Sequence, residues 1–147
     1  MTLATTVKFS KFKVLLGNGA SPEVFAAPCG LTANAIAFSK DTNATVTPDC
    51  TDPDLPGWQE RDAVSQSAAI SGSGVLATES IDTWWAAFNS TDPINCRVQI
   101  DVPAPKGGWW AGAFHVTRFE PGGSRGNRST VTIAMESDGA VVWVPAV

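Results

Sequence analysis

The sequence predicts a mainly β protein: an antiparallel β-sandwich or barrel of seven or eight strands with one flanking α-helix, in a single domain spanning residues 1–147. Three observations predict it. Apolar residues recur at every second position through most of the chain. Only one segment carries helical spacing. Turn-forming residues separate the alternating runs.

The first strand is expected over 7–16. Val7 and Phe9 share one parity there, whereas Phe12, Val14 and Leu16 share the other. Either a bulge near Ser10-Lys11 flips the face or both faces are covered. A second strand is expected over 35–46 and a third over 64–76. Between them, 40–62 reads as a long irregular loop, because Pro48, Pro53 and Pro56 stand among turn residues. The helix is expected at about 79–90. Ile81, Trp84, Trp85 and Phe88 fall at i, i+3, i+4 and i+7 and form its core anchor. Thr78 or Ser80 would cap it, and Asn89 to Pro93 would end it.

The strand over 94–102 is the clearest. Ile94, Cys96, Val98, Ile100 and Val102 alternate with Asn95, Arg97, Gln99 and Asp101. The longer strand over 109–120 is apolar on both parities, with Trp109, Ala111, Ala113 and Phe119 set against Trp110, Phe114 and Val116. That pattern calls for a second layer or a second subunit. A glycine-rich connection leads to a strand beginning at Thr130. Asp138-Gly139 then has the composition of a two-residue hairpin turn into 140–144.

Composition excludes several classes. Charged residues are only 16% of the chain, against about 25% in ordinary globular domains, so part of the surface is expected to be covered by partners. A net charge of -4 and a pI near 4.8 argue against nucleic-acid binding by phosphate neutralisation. No apolar run is long enough to cross a membrane as a helix, and the first residues lack a signal-peptide pattern, so export by the general pathway is not expected. Cys29, Cys50 and Cys96 are expected to be buried and reduced, a Cys29–Cys50 bridge being the alternative. No metal or cofactor is expected: there is one histidine, no Cys-x-x-Cys pair, and the acidic run at 49–54 lacks the Gly and Glu of a calcium loop. Nor are catalytic residues expected, because His115 has no nucleophile elbow to serve.

The succession of segments resembles a known family. Lys11-Phe12-Lys13-Val14-Leu15-Leu16-Gly17 is followed by the acidic segment ending at Trp58. Ile70-Ser71-Gly72-Ser73-Gly74 then leads to the Trp helix. Trp110-Ala111-Gly112-Ala113-Phe114 follows, and Glu136-Ser137-Asp138-Gly139 precedes a final Val-Trp strand. Over nearly the whole chain this is similar to the major tail tube proteins of phages with long non-contractile tails and related prophages. The resemblance implies the tail tube fold and a structural virion protein rather than an enzyme. It implies hexameric rings stacked into a hollow tube through which genomic DNA passes on ejection without specific binding. The implied partners are further copies of the chain, the tape measure, the tail terminator and baseplate or tail tip proteins. The implied location is the virion tail, assembled in the host bacterial cytoplasm. Two other readings remain open: a tail terminator or head–tail connector ring of similar fold, and a Trp-rich carbohydrate-binding β-sandwich. Neither needs a membrane.

Within the tube reading, two surfaces are expected to carry assembly. The acidic segment, with Asp49, Asp52, Asp54, Leu55, Pro56 and Trp58, is expected to reach the adjacent ring. Lys8, Lys11 and Lys13, with no acid before Glu23, form its expected basic partner. Gln99 and Asp101, opposite in phase to Val98 and Ile100, are expected to face an acidic lumen.

Overall fold

The computed structural model describes residues 2–147. Among these, eight strands form one antiparallel sheet: β1 (Phe12–Gly17), β2 (Phe25–Ala26), β3 (Leu31–Thr47), β4 (Trp58–Val75), β5 (Ile94–Ile100), β6 (Gly108–Gly122), β7 (Thr130–Ser137) and β8 (Val142–Pro145). The order is β2-β1-β5-β6-β7-β4-β3, with β8 paired to β6. One helix, α1 (Ile81–Asn89), follows a 3-10 turn over Thr78–Ser80. The mainly β architecture with a single helix is the one the alternation predicts.

The core lies on one side of the curled sheet. Val14, Val98, Phe114, Ile70, Ile133 and Met135 are all fully buried there, and Trp84 from α1 joins them. The strand ends confirm the pattern of parities and also explain its breaks. A 3-10 turn over Phe9–Lys11 replaces the bulge expected near Ser10, so Val7 and Phe9 never enter the strand. In β6 a register shift falls between Val116 and Arg118. The extra residue, Thr117, moves Phe119 onto the side of Phe114 and Val116, opposite Ile133. Part of the double apolarity of this strand is therefore a bulge and not a second layer.

Several expectations are corrected. The irregular loop is much shorter than 40–62. β3 continues to Thr47 and β4 begins at Trp58, paired through Thr47↔Trp58, so only 48–57 is irregular. The physical reason is that the prolines lie only within 48–56, and the flanking residues keep every N–H a ladder needs. The helix face is also narrower than its spacing suggests. Trp84 is fully buried, but Trp85 is 54% and Phe88 42% exposed, and the two rings stack on each other at 6.1 Å. Ile81 is half-buried. A nine-residue helix lying on a curved sheet presents one narrow stripe, and Trp84 with Ala87 fills it. No side chain caps the helix; the Ser80 hydroxyl instead lies within hydrogen-bond distance of the Cys29 and Ala77 carbonyls. Gly139 has the positive φ of a turn, but β8 pairs with β6 and not with β7, because the Asp138 amide donates to the Ala113 carbonyl and carries the chain across. Of the cysteines only Cys96 is buried; Cys29 and Cys50 are exposed and unbridged.

Candidate assembly surfaces

The feature that stands out is an arm. β4 pairs with β7 only from Ala69 to Val75. Above that, β4 has no partner but β3, so a two-stranded ribbon projects roughly 30 Å beyond the sheet, taking about 3.3 Å per residue. Every residue from 37 to 67 is exposed. An isolated two-stranded hairpin is marginal in water, and this one also exposes Phe38, Val46, Leu55, Val64 and Trp58, the last at 88%.

The tip is ordered by its own acids. The Asp49 carboxylate accepts from the Thr51 hydroxyl at 2.7 Å, the Thr51 amide at 2.8 Å and the Asp52 amide at 3.1 Å. The Thr51 hydroxyl and then the two amides hold the Asp49 carboxyl below its ordinary value. Asp52 accepts from the Asp54 amide at 3.3 Å. Gly57 lies under Val46 and Thr47, where a Cβ would meet the Val46 side chain at 2.6 Å, so the ribbon closes tightly before Trp58. Asp49, Asp52, Asp54, Leu55, Pro56 and Trp58 are thus brought together at one end of the molecule, all exposed.

The lysine segment lies elsewhere. Lys13 pairs across to Gln99, and Gln99 to Trp109. Asp101 sits beside two lysines, 3.4 Å from Lys13 Nζ and 3.9 Å from Lys11 Nζ. Val7 and Phe9 are exposed next to Lys8. This places the segment at the Gly108 end of β6, which is the end from which the arm rises.

Gln99 and Asp101 do lie on the side of the sheet away from the core, half-buried. Their company there is Lys13 and Arg97. The Arg97 guanidinium is held 3.9 Å from the Phe25 ring centroid and 5.0 Å from that of Trp109. Sequence reasoning missed this cluster. The odd-parity position of Arg97 between Asn95 and Gln99, with Trp109 opposite the same face, was the available signal. Among the described residues, no three His, Cys, Asp or Glu side chains converge as a metal would require, and no helix is long and apolar enough to cross a membrane. His115 Nε2 lies 3.0 Å from Asp138 Oδ2 in an exposed pair.

A subunit with a compact sheet body, an unpartnered arm and exposed aromatics is a building block of an assembly. Residues 6–143 match the family model described as phage tail tube protein, and the chain belongs to that family. It is a structural component of the virion tail and not an enzyme. No curated protein sequence matches the chain. The fold agrees with solved tubes. The tail of an empty gene transfer agent particle, refined helically with C6 symmetry, has a TM-score of 0.76 at 22% identity, covering 95% of this chain and 99% of that one. The virion of a native gene transfer agent particle gives 0.74 at 23%, with the same coverage of both chains. The SPP1 tail tube gives 0.67 at 7%, covering 97% of this chain and 81% of that one.

Proposed function

We propose that this chain forms hexameric rings that stack head to tail into a hollow tube, through which DNA passes during ejection. The observation that carries the reading is the arm: some thirty consecutive exposed residues, apolar at intervals, whose two strands pair only with each other beyond Phe38, which lies 5.5 Å from the Trp110 ring. The C6 symmetry of the gene transfer agent tail supports six subunits per ring. Ring closure and stacking are both heterologous contacts, one that closes and one that does not. The arm tip, with Asp49, Asp52, Asp54, Leu55, Pro56 and Trp58, reaches the adjacent ring, and burial of Trp58, Leu55 and Pro56 there supplies most of the contact energy. Exposed ion pairs contribute only about 0–1 kcal/mol each. The tube's other partners are the tape measure inside it, the tail terminator at one end and baseplate or tail tip proteins at the other.

Negative-stain microscopy and sedimentation of the purified chain test this reading. Rings and tubes of uniform width are the expected result. A protein that stays monomeric at all concentrations and salt conditions overturns it.

A further inference from the structure

We infer that the β3–β4 arm has two chemically different faces, and that its acidic face closes the ring by docking on the lysine segment of the adjacent copy in the same ring. The inference deepens the hexameric-ring reading and rests on it.

The faces follow from register. Paired residues of an antiparallel ladder point to the same side, and successive residues to opposite sides. Ala68 and Ile70 mark the core-facing side of β4. Above them that side continues through Gln66↔Lys40, Ala63↔Thr42, Arg61↔Ala44 and Gln59↔Val46. The other side carries Asp41 opposite Ser65, Asp62 opposite Asn43, Glu60 opposite Thr45, and Trp58 opposite Thr47. Both basic residues of the arm strands are therefore on one face, and all three acids are on the other with Trp58. A single bulge does the sorting. The register shifts between Asp41 and Thr42, which leaves Val64 without a partner. Without that extra residue, Glu60 and Asp62 would join Lys40 on the core-facing side.

The level of this face matches the level of the lysines. Ala69 and His115 share a rung through Glu136. Counting outward from it, with Val64 discounted, Asp62 and Trp109 are each six rungs away. Lys13 shares the Trp109 rung through Gln99, and Lys11 lies beyond it. Glu60 is likewise beyond Asp62. With the strands running along the ring axis, rotation about that axis moves a neighbour sideways and leaves its level unchanged. The sheet order leaves two edges, which the curl of the sheet also brings near each other within one chain. β3 is one edge strand, and β1 above the two-residue β2 is the other. Their directions through the antiparallel sheet are opposite, so a copy brought alongside by rotation would meet β3 with an antiparallel β1. The charges are complementary and largely uncommitted. Among the described residues, Lys11 and Lys13 share Asp101 alone, and neither Glu60 nor Asp62 has a basic partner. Val7 and Phe9 lie exposed around Lys8, so the lysine segment is itself uncovered within its own chain. The occupant is thus a second copy of this chain at the same height, which also accounts for a lysine segment at the arm's own end.

Charge exchange tests the inference. One variant carries Glu60→Lys and Asp62→Lys. A second carries Lys11→Glu and Lys13→Glu with Asp101→Asn, so that the new acids meet no like charge. A third combines all five changes. Folding is checked by circular dichroism, and ring formation by sedimentation and negative stain at low salt. Wild type is expected to form rings. Each one-sided variant is expected to be folded with ring formation weakened at least tenfold, and the combined variant should recover rings. Folded one-sided variants that close rings as wild type does, or that close rings and fail only to stack, overturn the inference and leave the hexamer standing. A combined variant that recovers nothing while folded also overturns it. A wild-type chain that never forms rings overturns the ring reading itself and the inference with it.

Discussion

The sheet body and the β3–β4 arm are built from the same antiparallel ladder, and β3 and β4 run through both. In the body, from Ala68 to Gly72, alternate β4 residues are buried against Ile133, Met135 and Trp84. In the arm, from Trp58 to Ser67, the same strand buries nothing. The comparison teaches that a strand ladder alone does not make a stable element. The body gains its stability from one dense face, whereas the arm leaves its strand-forming residues and charges exposed.

The largest effect that would sharpen this contrast lies in the body. Trp84→Ala is expected to destabilise the subunit by about 3–5 kcal/mol, read as a lowered urea midpoint and lost soluble protein. Trp84→Phe should cost less than Trp84→Ala, since the buried indole N–H has no hydrogen-bond partner to lose. Trp85→Ala, one residue along, is expected to cost about 1 kcal/mol or less, because its ring is half in solvent and stacks only on Phe88. Equal losses at the two tryptophans would break the distinction between the buried stripe and the exposed one.

The arm predicts the reverse pattern, assembly lost with stability kept. Deleting 49–55 should leave the urea midpoint of the body within error and yield subunits or isolated rings that do not elongate. Trp58→Ala should act in the same direction more weakly. Tubes of normal length from the deletion would show the arm tip to be a solvated flap. A body that unfolds on deletion would show the two regions to be one cooperative unit.

The contrast between what was and was not legible in the sequence follows the same division. The strand over 94–102, the glycine connection before Thr130 and the single helix could be read directly, because burial on one face imposes a period on the residues. The extent of the arm could not. Its flanks alternate as strands do, but its prolines and acids are turn residues, and neighbouring sequence does not say that two such flanks will pair with each other over sixteen rungs. Trp85 was misplaced for a related reason. Spacing identifies a face about two side chains wide, and only packing decides which of Trp84 and Trp85 points down. The bulge at Val64 was invisible because the exposed arm has no buried alternation to interrupt, and the one at Thr117 left only the parity change at Phe119, which reads equally as a second covered face. The charge segregation of the arm depends on the first of them.

The cysteines offer a smaller test of the same division. Burial, with Glu23 adding to it, pushes the Cys96 thiol up to about 12. At pH 8 it stays protonated and enclosed, so a thiol reagent should modify Cys29 and Cys50 in the native chain and reach Cys96 only on unfolding. Mass spectrometry after labelling should therefore find two adducts before denaturant and three after. Assembly should then protect Cys50, in the arm tip, in stacked tubes but not in single rings. Equal labelling of Cys50 in both states would remove the tip from the stacking contact.

The smallest effect concerns the acid range of the tip. Asp49 accepts three hydrogen bonds that favour its ionised form, and its carboxyl is held below the ordinary 3.8. For a group whose folded value is depressed, the stabilisation is fully present above the unfolded value and is lost as pH falls through the folded one. The tip turn should thus persist through pH 4 and open only at lower pH. The amide resonances of Thr51 and Asp52 should report a titration midpoint below 3.8. Asp49→Asn keeps an acceptor oxygen but no charge, so it should flatten that titration while preserving the turn. Because Asp49 is fully exposed, the body should melt at the same temperature in both proteins. A shift in melting of the body on this substitution would mean that the tip is coupled to the sheet, and the separation of arm from body would have to be drawn lower on the ribbon.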